Sequence, residues 1–346
     1  MTHGPVPWLP APLASLASRI YLWELHRRNA ILDRGKGVTT LDIPVISIGN
    51  LSVGGTGKTP LVEHIARTLA SSGAHPAIAM RGYRASHGLS DEAREYALAL
   101  QDVPTLVNPD RISAIRAELQ RRARHNLPTL TCIILDDGFQ HRKLARNLDI
   151  VLIDATRSPF NDHPLPRGWL REPVQSLRRA HAVIITRADL APDAASAIQN
   201  HLSTIAPGIP IATVAYEWSS LDIAHNAESR SEPLSWLKGK RLLPCAAIGN
   251  PNAFLQQVEA HADSPLLQSL FIRDHDPYAP HTIDSLISIA RDAHADAIIT
   301  TRKDWTKLSR VSPSRWPCPI ARPVLQVRWL SGADTLQELI TKAITP

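Results

Sequence analysis

The chain has 346 residues, 44% of them hydrophobic and 20% charged, which is typical of a globular protein with room for two domains. Three scattered cysteines without a C-x-x-C pair argue against a disulfide framework or a structural zinc site. No apolar run approaches the ~20 residues of a spanning helix, so we expect neither such a helix nor a secretory signal. The net charge of +6 favours an anionic partner without choosing between nucleic acid, anionic lipid and a phosphorylated substrate.

The first predicted element is an amphipathic helix within residues 8–28. Its apolar side chains recur at helical spacing: Leu9, Leu13, Leu16, Ile20 and Trp23. Arginine, lysine and histidine follow toward its end, which is typical of a helix that lies on an anionic membrane. A helix packed on the domain core would have the same pattern. We predict that residues 1–36 form a membrane-contacting segment, and the packed alternative stays open.

A glycine-rich loop follows the first β-type run, and Gly57-Lys58-Thr59 leads into a helical pattern. This order predicts a site for a nucleoside triphosphate, because glycines let backbone N–H groups converge on phosphate oxygens. Lys58 is expected to reach the β- and γ-phosphates and Thr59 to ligate Mg²⁺. The alternative is an ordinary glycine turn. The predicted cofactor-binding residues are Ser52, Val53, Gly54, Gly55, Thr56, Gly57, Lys58 and Thr59.

Short apolar strands alternate with helical segments along the rest of the chain, which predicts a parallel sheet covered on both faces. Residues 217–233 lack clear periodicity, and we predict a domain boundary there. The expected fold is α/β, a P-loop NTPase-type α/β/α sandwich with a second, smaller α/β domain. The core domain would span residues 37–216 and the smaller domain residues 217–346.

Asp136 and Asp137 follow an apolar strand, at the place where P-loop proteins support Mg²⁺. Their alternative function would be to cap a following helix. Adjacent residues of an extended chain point in opposite directions, so one acid can face the metal and the other the acceptor. The sequence does not decide which does so.

An alcohol acceptor needs a base, and arginines can stabilise charge during phosphoryl transfer. The candidate bases are Asp91, which also sits where a helix cap belongs, with Glu92, His141 and the more distant His275. The candidate arginines near predicted strand ends are Arg81, Arg84, Arg142, Arg167 and Arg171. For any single member of either set, a solvated surface group is the alternative.

Two further patterns receive plain interpretations. Thr186-Arg187-Ala188-Asp189 faintly resembles the motif with which GTPases read guanine, but arginine replaces its lysine, and we interpret it as a strand-end turn. Asp274, His275, Asp276 and His281 match no familiar zinc spacing, and we interpret them as loop residues.

The chain contains several separated motifs, which in order are Ser47-Ile-Gly-Asn-Leu-Ser-Val-Gly-Gly-Thr-Gly-Lys-Thr-Pro60, Arg81-Gly-Tyr83, Asp91-Glu92, Leu135-Asp-Asp-Gly-Phe-Gln-His141, Leu165-Pro-Arg-Gly-Trp-Leu-Arg-Glu-Pro173, Ala246-Ala-Ile-Gly-Asn-Pro251, Asp274-His275 and Thr300-Thr-Arg-Lys-Asp304. Together, and in this order, they resemble the motifs of the tetraacyldisaccharide 4′-kinases, which phosphorylate a lipid A precursor. The Asp-Asp-Gly-Phe-Gln-His block joined to Gly-Gly-Thr-Gly-Lys-Thr-Pro is the specific part of the resemblance.

The resemblance implies transfer of the ATP γ-phosphate to the 4′-hydroxyl of an acylated glucosamine disaccharide 1-phosphate. It implies that Asp91 is the base, that His275 helps it, and that the second domain closes over the nucleotide. Lys58 is then catalytic, Asp136 and Asp137 serve Mg²⁺ and the acceptor, and substrate contacts are expected from Arg81, Glu92, His141 and Arg171. The lipid substrate would bring the protein to an anionic membrane, at the cytoplasmic face of the inner membrane of a Gram-negative-type bacterium. We expect no nucleic acid and no obligate protein partner. The alternative is a membrane-recruited P-loop ATPase switch, and a binding module without chemistry is a third reading.

Overall fold

The computed structural model describes residues 4–6, 8–82, 90–248, 251–273 and 276–345. The chain divides into two units. Unit 1 comprises residues 1–216 together with 327–346, and unit 2 comprises residues 217–326. The chain passes from unit 1 to unit 2 within one long strand and returns within another, so each unit is described separately below.

Unit 1 contains most of the elements of the α/β alternation predicted from the sequence. In chain order they are α1 (Ala11–Asp33), β1 (Val45–Asn50), α2 (Lys58–Ser71), β2 (Pro76–Met80), α3 (Asp91–Ala99), β3 (Thr105–Val107), α4 (Arg111–Arg124), β4 (Cys132–Asp136), β5 (Leu148–Asp154), β6 (Ala182–Thr186), α5 (Pro192–Ile205) and the first part of β7 (Ile211–His225).

The sheet of unit 1 has the strand order β7-β6-β5-β1-β4-β2-β3, and neighbouring strands are parallel. Alternate residues of β1 enter different cores: Ile46 packs with Leu61 of α2, whereas Val45 packs with Ile115 of α4. Helices thus cover both faces, which is why these strands are apolar throughout. Because β1 and β4 are neighbours, the loop after β1 and the acids after β4 leave the sheet side by side, where open α/β sheets bind ligands.

Helix α1 packs through small residues and leaves its large apolar side chains exposed. Ser18 Oγ donates to the Pro164 carbonyl at 3.0 Å and accepts from the Arg167 N–H at 3.1 Å. Tyr21 OH donates to the Arg171 carbonyl at 2.7 Å. The apolar side chains that the sequence predicted on one side of this helix, its apolar stripe, are mostly exposed to solvent. Leu13, Leu16, Ile20 and Trp23 are 54%, 55%, 60% and 67% exposed. Packing of this apolar stripe on the core, the alternative considered for it, is therefore not what the structure has.

Unit 2 is the smaller α/β unit. Its elements are the second part of β7, β8 (Glu228–Glu232), β9 (Leu242–Ala246), α6 (Pro251–His261), β10 (Leu270–Phe271), α7 (Pro280–Asp292), β11 (Ala297–Thr300), α8 (Arg302–Leu308) and the first part of β12 (Ile320–Ser331). Strands β10, β9, β11 and β12 are parallel neighbours in this order, and β8 is antiparallel to β7. None of the helices in the described ranges combines the length and the apolar content needed to cross a bilayer.

Two parts of the predicted organisation differ from the structure. Residues 217–233, whose sequence lacks clear periodicity, continue β7 and form a hairpin with β8, with Leu221 and Ile223 buried on one side of the strand. Residues 327–346, assigned to the second domain, group with unit 1. There α9 (Ala333–Ile344) contributes Leu336 and Ile340 to the same core as α2. Burial of these apolar side chains stabilises the packing of the C-terminal segment on unit 1.

Candidate active site

The phosphate-binding loop is the segment between β1 and α2. α2 begins at Lys58, directly after Gly57. Gly57 has a φ of +82°, and a Cβ on it would lie 2.5 Å from the side chain of Tyr216, so only glycine fits there. Since glycine offers no capping side chain, the first N–H groups of α2 and its dipole are left to bind an anion such as a phosphate. The predicted cofactor-binding residues 52–59 all lie in this loop and the first turn.

Lys58 lies between β1 and the loop after β4. Its Nζ donates to Asn50 Oδ1 at 3.2 Å and lies 3.4 Å from Asp137 Oδ1. Gln140 Nε2 donates to the Asn50 carbonyl at 2.9 Å and joins the same two segments. Asn50 and Gln140 were not among the predicted site residues, although both stand inside the motifs that carried the resemblance.

Asp136 and Asp137 have different partners. Asp136 ends β4 and is 5% exposed, and its Oδ2 accepts a hydrogen bond from Tyr96 OH at 3.0 Å. Asp137 has a φ of +52°, which turns the chain, and its Oδ2 accepts from Arg171 Nη1 at 2.5 Å. The chain then continues in turns to β5, so the helix-capping alternative for this pair is wrong.

The two carboxyl groups differ in their electrostatics as well. Burial raises the pKa of Asp136, opposed by Lys58 and reinforced by the charge of Asp137. Burial also acts against ionisation of Asp137, but Lys58 and Arg171 outweigh it and hold its pKa below the usual range. Asp137 is therefore the ionised partner of the two cations. Asp136 is the carboxyl whose ionised form a further cation would stabilise most.

The residues present fit a Mg²⁺ ion. Asp136 Oδ1 is buried and has no hydrogen-bond partner among the described residues, and leaving such an oxygen unpaired destabilises a fold. Mg²⁺ prefers oxygen ligands, and Thr59 supplies a hydroxyl in the first turn of α2. Within the described ranges no cluster of three or more His, Cys, Asp or Glu could hold a metal alone. A Mg²⁺ here would complete its shell with phosphate oxygens and water.

Comparison with known proteins identifies the family. Residues 9–345 match the family described as tetraacyldisaccharide-1-P 4′-kinase. The chain belongs to this family. A tetraacyldisaccharide 4′-kinase of Chlorobium limicola is 32% identical, over 96% of this chain and 98% of that protein. A second, from Geobacter metallireducens, is 34% identical over 86% of this chain and 89% of that protein. A crystal structure of LpxK from Aquifex aeolicus in complex with ATP has a TM-score of 0.74 at 26% identity, covering 95% of this chain and 97% of that one.

Membership of the tetraacyldisaccharide 4′-kinase family confirms the resemblance that the sequence motifs indicated. The structural match and the parallel sheets of the two units confirm the predicted α/β fold class. The motif blocks around Lys58 and Asp137, far apart in the sequence, meet at one edge of the sheet.

The other predicted site residues of this kinase family member are placed as follows. Arg81 is exposed directly after β2, and Glu92 is exposed in the first turn of α3. Asp91 is the first residue of α3, but the cap is Ser90, whose Oγ accepts from a first-turn N–H at 3.3 Å. The capping function considered for Asp91 therefore belongs to Ser90. The side chain of Asp91 and the whole of His275 lie outside the described part of the chain.

Arg146, which the sequence did not single out, holds the loop that follows Asp137. Its guanidinium donates to the carbonyls of Gly138, His141 and Leu144 at 3.2, 2.6 and 3.1 Å. It also pairs with the buried Asp149 at 3.0 Å. A half-buried arginine that donates to several backbone carbonyls fixes the segment that carries the candidate residues Asp137 and His141.

His141 provides a test of this electrostatic environment. Burial, with help from Arg111, Arg146 and Lys143, lowers its pKa to about 4. The unfolded state has a histidine pKa of about 6.5, so it binds more protons between these values and the free energy of unfolding falls as the pH drops through this window. We expect His141→Asn to lose less Tm than the parent protein on going from about pH 7 to about pH 4.5. Thermal denaturation followed by circular dichroism measures this, with the exposed His125→Asn as control. An equal loss in the parent and in the His141 variant would contradict it.

Proposed function

We propose that this protein is an ATP-dependent tetraacyldisaccharide 4′-kinase. It transfers the γ-phosphate of ATP to the 4′-hydroxyl of a tetraacyldisaccharide 1-phosphate, a lipid A precursor, and gives the 1,4′-bisphosphate. The observation that carries the proposal is the convergence of Lys58 and Arg171 on Asp137 beside a phosphate-binding loop, in a chain that matches the family over residues 9–345. The relatives bear this activity in their names, and the similar LpxK structure is a complex with ATP.

The proposed nucleotide site is built from the loop and its neighbours. Backbone N–H groups of residues 52–59 bind the phosphate oxygens, and Lys58 and Arg171 stabilise the charge that develops on the transferred group. Most of the catalysis of phosphoryl transfer comes from such positioning and charge stabilisation. Thr59, with Asp136 and its neighbour Asp137, would hold Mg²⁺, which when bound neutralises charge on the β- and γ-phosphate oxygens.

The acceptor hydroxyl must lose its proton while its oxygen bonds to the γ-phosphorus and the bond from that phosphorus to the β–γ bridging oxygen breaks. We propose that Asp91 takes the proton and that His275 orients Asp91 or relays the proton. Asp91 begins α3, and Tyr96 of the same helix donates its hydroxyl to Asp136. The helix of the proposed base is thereby tied to the proposed metal carboxylate. Lesser substrate contacts are proposed for Arg81, Glu92, His141 and Arg171.

Release of ADP, measured with and without an acylated disaccharide 1-phosphate, tests the proposed activity. We expect release to be nearly absent without the acceptor and strong with it, and the lipid product to gain the mass of one phosphate. A membrane-recruited ATPase switch would instead release ADP without the acceptor and dimerise on binding ATP. A nucleotide-binding module without chemistry would release none in either condition.

We propose that α1 docks the enzyme on an anionic membrane, at the cytoplasmic face of the inner membrane where an acylated substrate would reside. The support is the pattern of exposure along the helix, since the apolar row from Leu13 to Trp23 is exposed while Ala14 and Ser18 are buried. A row of exposed leucine, isoleucine and tryptophan is unfavourable in water and suits the headgroup region of a bilayer.

Changing this apolar row should weaken membrane binding without changing the site. We expect Leu16→Ser, Ile20→Ser and Trp23→Ser, combined, to lower affinity for vesicles with anionic phospholipid by at least about tenfold, because each side chain loses apolar burial. Cosedimentation with vesicles measures this. The matched control is Leu98→Ser with Leu190→Ser, which are also exposed leucines but lie outside α1. Vesicle binding that survives the triple change would reject the docking proposal.

A further inference from the structure

Three consecutive carbonyls of the phosphate-binding loop accept hydrogen bonds from side chains at the end of β6, directly after it, or in β7. Thr186 Oγ1 donates to the carbonyl of Thr56 at 2.9 Å. Tyr216 OH donates to the carbonyl of Gly57 at 2.6 Å. Arg187 Nη1 donates to the carbonyl of Gly55 at 3.2 Å. These donors stand more than a hundred residues from the loop in the sequence, and the order β7-β6-β5-β1 brings them to it.

The orientation of these carbonyls matters because a planar peptide unit carries its N–H and its C=O on opposite sides. A loop that turns its N–H groups toward a phosphate must turn its carbonyls away from it. Glycine is permissive, so the three glycines within residues 52–59 do not impose that orientation by themselves. Donors on the far side can impose it.

The donors are themselves well fixed. Thr186 is fully buried at the end of β6. Tyr216 is partly buried against the core that contains α2, and its burial raises its pKa, so the phenol remains a protonated donor. Arg187, which has a φ of +53°, forms an ion pair with Asp154 at the end of β5. Rigid donors on neighbouring strands can hold a flexible loop in one conformation.

We infer that Thr186 and Tyr216 are positioning residues, which hold the loop with its N–H groups directed to the phosphates of ATP. They act through the carbonyls of Thr56 and Gly57 rather than by contact with the nucleotide. The inference rests on the proposed binding of ATP to residues 52–59. It also gives the Thr186-Arg187 pair, interpreted from the sequence as a strand-end turn, a defined place in the site.

The test is the affinity for ATP of variants that lose one hydroxyl. We expect Tyr216→Phe and Thr186→Val each to raise the Kd for ATP with Mg²⁺ about tenfold, since one loop carbonyl then lacks its side-chain donor. Thr186→Ser keeps a hydroxyl and should bind ATP like the parent protein. In turnover assays the KM for ATP should rise in the two hydroxyl-deficient variants while the KM for the lipid stays unchanged. Isothermal titration calorimetry without lipid gives the Kd independently of activity.

Thr213→Val is the matched control, because Thr213 lies on β7 and its hydroxyl pairs with Ser331 at 2.8 Å rather than with the loop. It should lower the Tm about as much as Thr186→Val and leave the Kd for ATP unchanged. If Tyr216→Phe and Thr186→Val bind ATP as tightly as Thr213→Val does, the inference is wrong while the proposed function stands. If the parent protein itself does not bind ATP, both fail together.

Discussion

Asp91→Ala should lower kcat for phosphate transfer by roughly 10²–10⁴ while the Kd for ATP stays nearly unchanged, which is the range that general-base catalysis contributes. Asp91 begins α3, the helix that Tyr96 ties to Asp136, and it is not one of the residues 52–59 proposed to bind the phosphates. Loss of the base removes an interaction with the acceptor proton that matters only as the new bond forms. Single-turnover transfer to the acylated disaccharide, alongside calorimetric ATP binding, separates the two effects.

The control is Asp102→Ala, which removes an exposed carboxylate in the turn after the same helix. It should leave both quantities as in the parent protein. Full turnover in Asp91→Ala would refute the assignment of the base, and weaker ATP binding in that variant would mean that Asp91 supports the nucleotide instead.

The phosphate-binding loop could be located from the sequence because its requirements are local. A buried strand, a residue position that only glycine tolerates, and a lysine and threonine at the start of a helix all lie within residues 43–60. The two acids at the end of β4 were equally visible, because Asp136 and Asp137 directly follow a run of apolar residues. The pairing of β1 with β4 brings Lys58 to Asp137. The α/β alternation predicts a parallel sheet, but it does not predict which strands are neighbours in it.

The hydroxyl partners of these residues could not be predicted, because each comes from a distant part of the chain. Tyr96 meets Asp136 across 40 residues, and Tyr216 meets Gly57 across 159. Neither tyrosine belongs to a motif, and a buried tyrosine in a helix or strand is usually a core residue. The acceptor of each tyrosine hydroxyl is determined by the tertiary packing, which the sequence pattern does not show.

The strand structure of residues 217–233 and the place of the C-terminal helix were not predicted for a related reason. Residues 217–233 contain many polar side chains because β8 is exposed, and this hides the alternation that buries Leu221 and Ile223. The C-terminal helix looked like part of the second domain because it follows that domain in the sequence. Its apolar face fits the core of unit 1, and sequence order alone carries no information about that choice.

Lys58→Ala should lower kcat/KM for ATP by about 10³ or more, with losses in both nucleotide binding and turnover, because a cation that clamps the transferred phosphate acts in the ground state and in the transition state. In the structure this cation is already held at 3.2 Å from Asn50 Oδ1 and 3.4 Å from Asp137 Oδ1, so it needs little reorganisation when the nucleotide binds. Its removal leaves Arg171 as the remaining cation paired with Asp137 within the described part of the site.

Variants of Lys58 and Arg171 should therefore differ in their effects on ATP binding and on the rate of transfer. Arg171→Ala should lower kcat more than it weakens ATP binding, whereas Lys58→Ala should affect both, and Lys240→Ala, which removes a half-buried lysine of unit 2, should affect neither. Calorimetry with ATP and Mg²⁺ gives the binding constant, and transfer to the acylated disaccharide gives the rate. If Lys58→Ala bound ATP and turned over like Lys240→Ala, the lysine that follows the glycine loop would not be the phosphate clamp, and the contacts with Asn50 and Asp137 would be only structural.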